Sequence, residues 1–119
     1  MAKASIDGVR PLSAQALQIL ISVSDKQLHG YAIIRDVRTR TDGRITLTAS
    51  TLYTAIKRML EEGLIEESEE RPAPELDDER RRYYGMTPRG KSVLKREAEW
   101  LEQVTVMARQ KGILEGRGS

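Results

Sequence analysis

The stretch of sequence that decides the fold is residues 45–91, ITLTASTLYTAIKRMLEEGLIEESEERPAPELDDERRRYYGMTPRGK. Its first part repeats apolar residues at the spacing of one helix face, at Ala49, Leu52, Ile56, Met59 and Leu60. This pattern predicts an amphipathic helix that begins at Thr48. The opposite face carries small hydroxyls and cations, namely Ser50, Thr54 and Arg58, flanked by Thr51 and Lys57.

The residues after this helix predict a hairpin followed by a new helix. Gly63 stands where a C′ glycine ends a helix, and the apolar residues after it begin a strand. A returning strand is predicted in residues 80–86, beyond a loop that holds two prolines and a run of acids. Thr87 and Pro88 suit the N-cap and first position of the last helix. Residues 45–47 are expected to add a short third strand.

The order helix, hairpin, helix is that of a winged helix-turn-helix, mainly α with a small antiparallel β-wing. In such a fold, side chains in the first turns of the central helix approach base edges in the DNA major groove, and cations one or two turns later reach phosphates. Two alternatives remain. The polar face could be merely solvated, or it could dock a protein partner in a winged-helix interaction module that does not bind DNA.

Charge is unevenly divided along the chain, although its net value is only +2. Residues 1–60 hold nine Lys and Arg against four Asp, a net charge of +5, and residues 61–119 hold eleven Lys and Arg against fourteen acids, a net charge of −3. Basicity therefore coincides with the first three predicted helices, as expected for phosphate contact. The wing is so acidic that its DNA contacts are expected from its few arginines.

The chain resembles the PadR family of bacterial transcriptional regulators in three blocks. Residues 29–33 read HGYAI, residues 51–53 and 58–65 read TLY and RMLEEGLI, and residues 82–90 read RYYGMTPRG. They follow the family's order and spacing, with Met86 where leucine is usual and with a long, acidic wing. The resemblance implies a DNA-binding winged helix that dimerises through its C-terminal helix. The short chain indicates the subfamily in which that helix stands alone.

Composition excludes several other classes of protein. At 119 residues the chain has room for one domain with a modest core, which must form without phenylalanine or cysteine. We expect no disulfide, no thiolate chemistry and no zinc site of ordinary composition. His29 is the only histidine, and beside a turn glycine it is interpreted as a structural group. No enzyme, cofactor or metal site is predicted. Neither a membrane span nor a signal peptide is found, so a cytoplasmic location is expected.

Two further helices are predicted before the central one. Ser13 caps the first, which runs to about Ser24 after an N-terminal arm, and the second runs from Gly30 or Tyr31 to Thr41. A turn joins them. We expect residues 1–87 to form the DNA-binding unit and residues 88–119 the dimerisation helix and tail, within one compact domain. The tail from Gly112 is expected to fray.

The last helix, about residues 88–111, has an apolar arc too wide for one neighbour. Contact with the chain's own domain accounts for one side, and a second subunit is predicted on the other. The predicted dimer interface comprises Val93, Leu94, Ala98, Leu101, Val104 and Ala108. Trp100, with Val93, Val104 and Met107, is interpreted either as a structural tryptophan or as the wall of a site for a flat aromatic effector. Short PadR-like regulators that sense drugs are similar in carrying an aromatic there.

The predicted function is a homodimeric, sequence-specific repressor that reads a pseudo-palindromic operator in double-stranded DNA and is released by a small molecule. Its predicted DNA contacts lie on the central helix, the second helix and the wing: Ser50, Thr51, Tyr53, Thr54, Lys57, Arg58, Tyr31, Arg71, Arg80 and Arg81.

Overall fold

A computed structural model describes residues 11–68 and 82–115. Four helices and three strands follow one another as α1 (Ala14–Ser22), β1 (Leu28–His29), α2 (Gly30–Arg40), α3 (Ala49–Glu61), β2 (Ile65–Ser68), β3 (Tyr83–Met86) and α4 (Pro88–Gln110). The fold is mainly helical with one small antiparallel sheet, as the sequence predicts. None of the described helices is long and apolar enough to cross a membrane.

Each helix begins at a side chain that accepts a hydrogen bond from a backbone N–H of its first turn. The hydroxyls of Ser13, Thr48 and Thr87 do so for α1, α3 and α4, as predicted, at 3.0, 3.1 and 3.0 Å. For α2 the acceptor is His29 Nδ1, 3.2 Å from the amide of Ala32. These caps satisfy N–H groups that the helix itself leaves without partners. The lone histidine is therefore a structural group here.

The sheet has the strand order β1-β3-β2, with β3 in the middle. Leu28 and His29 pair with Tyr84 and Tyr83, while β2 pairs along the whole of β3 from Ile65 opposite Met86. The prediction that residues 45–47 supply the third strand is wrong. That segment forms no strand in the described structure. Instead it anchors the start of α3 through Leu47, which is buried at 4% exposure.

The core lies where α1, α2 and α3 meet the sheet. Its buried members include Ile19, Leu20, Ile33, Val37, Leu52, Ile56, Met59, Leu64 and Tyr84. Helix α4 joins this core only near its start, through buried Val93 and half-buried Leu94. Burial of side chains this large stabilises the fold by about 1.5–3 kcal/mol each. Helices α1 to α3 and the sheet therefore form one packed unit.

A polar cluster on Arg40 holds α1 against α2. Its guanidinium donates to the side chain and the carbonyl of Gln18 at 2.8 and 2.9 Å, to Ser22 Oγ at 2.7 Å and to Asp36 Oδ2 at 2.8 Å. Ser22, which is buried, donates its own proton to Asp36 at 2.7 Å. Burial raises the pKa of the Asp36 carboxyl, but hydrogen bonds from Arg40 and Ser22 and the charge of Arg40 outweigh it, so that the pKa lies below its usual value.

The second half of α4 extends away from the core. Trp100, Leu101, Val104 and Met107 are 39–51% exposed in the single chain. The helix ends at Gln110 with Lys111 as its C-cap, after which Gly112 takes a φ of +81°. The amide of Ile113 then donates to the carbonyl of Ala108 at 2.8 Å, which closes a Schellman turn. Residues 112–114 thus form a hydrogen-bonded turn, and residues 116–119 of the tail that is expected to fray lie outside the described residues.

Candidate nucleic-acid interface

Helix α3 presents a continuous polar surface on the side away from the core. All six of its predicted DNA contacts are exposed, whereas Leu52, Ile56 and Met59 hold the opposite face in the core. Ser50 lies in the first turn, and Lys57 and Arg58 follow two turns later. A helix anchored this way along one face offers short hydroxyls at its N-terminal end and exposed cations further along. That arrangement suits base edges and phosphates respectively.

The hydroxyl of Thr51 also takes part in capping α3, a role that the sequence did not predict. Thr48 caps α3 and donates its own proton to Thr51 Oγ1 at 3.0 Å. Thr51 therefore helps to hold the cap in place. Ser50, which points outward beside it, is exposed and takes no part in this bond. Among the hydroxyls of the first turn, Ser50 is the one best placed for a base contact.

Two exposed tyrosines flank the start of α2. Tyr53 on α3 is 49% exposed, and its hydroxyl end lies against Gly30, the first residue of α2. Tyr31 follows in the chain, is 63% exposed, and has the guanidinium of Arg35 5.1 Å above its ring. The structure therefore brings the two predicted contacts Tyr31 and Tyr53 to the same end of α2. Arg35 is not among the predicted DNA contacts. Its contact with Tyr31 could have been expected, because residues four apart are neighbours on a helix surface.

A groove of about 370 Å³ separates the start of α1 from α3. On the α3 side it is lined by four of the predicted contacts, Ser50, Thr51, Thr54 and Arg58. On the other side lie Pro11, Leu12, Ser13, Gln15 and Ala16. Sequence reasoning missed this second wall, because nothing local to residues 11–16 indicates which helix they face. Lys57 and Tyr53 lie outside the groove, so the polar face of α3 divides into an α1 side and an α2 side.

Tyr84, at the base of the wing, lies close enough to this surface to feel the charge of Tyr53. Its side chain is buried, and burial raises the pKa of its hydroxyl, with the nearby Glu67 and Tyr53 raising that pKa further. Glu67 accepts from Arg82 at 2.7 Å, an exposed pair across the two wing strands. The predicted wing contacts Arg71, Arg80 and Arg81 lie outside the described residues.

The predicted interface residues of α4 differ in how far they are buried in the single chain. Val93 is 6% exposed and packs in the chain's own core, so it has little surface left for a second subunit or a ligand. It lies at the second turn of α4, where the helix rests on the domain. Leu94 and Ala108 are half-buried, and Ala98, Leu101 and Val104 are exposed. Trp100 and Met107 are about half exposed, on the part of α4 that extends from the core.

Comparisons with known proteins agree with this architecture. No protein with curated annotation matches the chain in sequence. Among solved structures, a transcriptional regulator from Clostridium thermocellum is 25% identical with a TM-score of 0.68, over 83% of this chain and 96% of that one. A PadR family transcription regulator from Clostridium difficile is 25% identical with a TM-score of 0.67, over 82% and 97%.

Bacillus subtilis PadR in complex with operator DNA shares the fold at 22% identity and a TM-score of 0.58. The match covers 76% of this chain and 48% of that one. The model of the transcriptional regulator PadR-like family matches residues 19–96, more than half of the chain. That span runs from Ile19 in α1, through α3 with its polar face and the residues of the wing, to Arg96 in α4. The chain therefore belongs to the PadR-like family of transcriptional regulators.

Proposed function

We propose that this protein is a sequence-specific DNA-binding repressor, and that α3 is its recognition helix. The observation that carries the proposal is the outer face of α3, where exposed hydroxyls at the N-terminal end precede Lys57 and Arg58. Tyr31 and Tyr53 add two exposed phenols beside it, suited to phosphate oxygens. The similarity in fold to a PadR protein solved in complex with operator DNA supports DNA binding as the function.

The proposed active form is a homodimer joined through α4. Exposed Leu101, Val104 and Met107 form apolar surface that a second copy would cover, and Ala98 would let the helices approach closely. Two recognition helices related by a two-fold axis would read a pseudo-palindrome with half-site centres about 10 bp apart, or a multiple of it. In this division of labour residues 1–87 bind DNA and residues 88–119 assemble the dimer.

Release by a small molecule is the proposed regulation. Trp100 is 51% exposed on the free half of α4, with Val104 and Met107 further along the same helix. An indole offers a flat face on which an aromatic compound stacks, and methionine adapts to different shapes. A ligand held between the Trp100 residues of two subunits would regulate if it favoured one separation of the recognition helices.

Binding to the promoter regions next to the protein's own gene tests the function. Fluorescence anisotropy across a series of salt concentrations should show a linear fall of log affinity with log salt, and footprinting should show a dyad. The alternative is a module that docks proteins through the same face. It predicts no salt-dependent affinity for any DNA, and that result, or a footprint without dyad symmetry, would refute the proposal.

A further inference from the structure

The end of α3 and the start of α4 are joined by three hydrogen bonds to successive carbonyls. Arg89 Nε donates to the carbonyl of Glu62 at 3.0 Å, the Thr87 hydroxyl donates to that of Gly63 at 2.6 Å, and the Thr87 amide donates to that of Leu64 at 3.1 Å. The same Thr87 hydroxyl caps α4 by accepting from the amide of Gly90. One short segment thus begins α4 and closes the exit of α3.

The exit of α3 is itself a fixed turn. Gly63 has a φ of +75°, which side chains other than glycine rarely adopt. Its amide donates to the carbonyl of Leu60 at 3.1 Å, and the amide of Leu64 donates to that of Met59 at 2.9 Å. These are the two bonds of a Schellman motif. The carbonyls that face α4 therefore move only if the end of α3 moves.

The backbones of the two elements also touch. A Cβ at Gly90 would collide with the carbonyl oxygen of Leu64 and lie 2.9 Å from Met86 Cγ. Only glycine lets the first turn of α4 lie this close to the α3 exit. The cationic group of Arg89 adds a charge-assisted bond at the negative end of the α3 dipole. Direct contact and three bonds together leave little freedom for α3 to turn against α4.

We propose that Thr87, Arg89 and Gly90 form a latch by which α4 sets the position of the recognition helix. Arg89 is then a positioning residue for operator recognition that does not itself touch DNA. The inference rests on the proposed function: where two α4 helices form the dimer, the angle held by the latch fixes the separation of the two recognition helices. The latch therefore determines which distance between operator half-sites the dimer prefers.

Arg89→Ala tests this, with Arg96→Ala as the matched control. Arg96 is exposed, lies seven residues further along α4 and carries the same charge. We expect Arg89→Ala to lower operator affinity on the order of tenfold, about 1.4 kcal/mol, and to reduce the penalty for adding or removing one base pair between half-sites. Affinity for random DNA and the dimer fraction by light scattering should match those of Arg96→Ala.

An equal loss of affinity for operator and random DNA would mean that Arg89 contacts a phosphate, and it would overturn the proposed latch. Unchanged operator affinity and spacing preference would overturn it as well.

Thr87 gives a second test that separates positioning from folding. Thr87→Ser keeps both roles of the hydroxyl and should behave as the parent protein, whereas Thr87→Val should relax the spacing preference in protein that circular dichroism shows to be folded. Unchanged spacing preference in folded Thr87→Val would also overturn it. Failure of the parent protein to bind any operator would instead refute the proposed function.

Discussion

The ring of Tyr53 fills the space that a side chain at Gly30 would need. A Cβ there would collide with the Tyr53 hydroxyl and lie 2.8 Å from Cζ and 3.2 Å from Leu52 Cδ2. Glycine is needed at position 30 because α3 and the start of α2 lie so close together. This close approach determines where the exposed part of Tyr53 lies.

Gly30→Ala should push Tyr53 aside and weaken operator binding several-fold. The melting temperature should change little, because alanine restricts the unfolded chain more than glycine does, a gain of about 0.4–1 kcal/mol, and the displaced atoms are at the end of a side chain. Anisotropy titrations and thermal unfolding measure the two effects. In a Tyr53→Ala background Gly30→Ala should have no further effect on affinity. Additive losses would show that Gly30 acts by another route.

Replacing Ser50 and Lys57 by alanine should change DNA binding in two different ways. Lys57→Ala should weaken binding to every DNA sequence and lower the salt slope by about one, because one phosphate contact is lost. Ser50→Ala should keep that slope and reduce the preference for operator over random DNA. Titrations of both variants on both DNAs, at four salt concentrations, separate the two patterns. The assignment of roles is wrong if both variants change slope and preference alike.

Leu101→Glu should dissociate the dimer and abolish operator binding together. A charge buried there without a partner costs several kcal/mol, enough to separate a small dimer at micromolar concentration. Val106→Glu is the matched control, since Val106 is 47% exposed on another side of the same helix. Light scattering and anisotropy follow both variants. A Leu101→Glu protein that stays dimeric with full affinity would move the interface elsewhere.

Stability should fall in acid partly through Asp36. Because its folded pKa is held below the unfolded value, its contribution is present above the ordinary aspartate pKa of about 3.9 and is lost as the pH drops through the folded value. Asp36→Asn should be less stable than the parent at pH 7, with a difference that shrinks towards pH 3. Urea unfolding midpoints across that range measure it. A constant difference would mean that the carboxyl's charge contributes nothing.

Flat aromatic cations should quench the fluorescence of Trp100. No other indole is present in the sequence, so the signal reports this position directly. Stacking on each ring should contribute about 1 kcal/mol beyond burial of area, and bound ligand should weaken operator binding. Val104→Ala is expected to weaken both responses. If no such compound quenches at concentrations up to its solubility, Trp100 is a structural residue.

Long periodic segments were predictable from the sequence, because their own patterns determine them. The helix capped by Thr48 and ended by Gly63, and that begun by Thr87 and Pro88, are found as predicted. Two-residue β1 was not predictable, since a pair of residues has no period. Leu28 and His29 become a strand only because β3, far along the chain, lies beside them. Residues 45–47 have strand-like composition but meet the core instead.

The parts of the candidate site that depend on contacts between helices could not be predicted from the sequence. The exposed side chains of α3 followed from its helical period, whereas the groove to α1 and the packing of Tyr53 on Gly30 depend on how the helices cross. Val93 shows the same limit. It shares the apolar arc of α4 with Leu101, but only tertiary packing decides which part of that arc the domain already covers.

The sheet's narrow edges also affect how the protein behaves before it assembles. The two outer strands of the described sheet are β1, of two residues, and β2, of four. Exposed Glu66 and Glu67 lie on the latter. Short, negatively charged edges are poor templates for pairing with the strands of other molecules. If the protein dimerises through α4 as proposed, a newly made monomer exposes the apolar side chains of the second half of α4, while the described edges of its sheet favour β-pairing with other molecules only weakly. Association through helices would then meet little competition from association through strands.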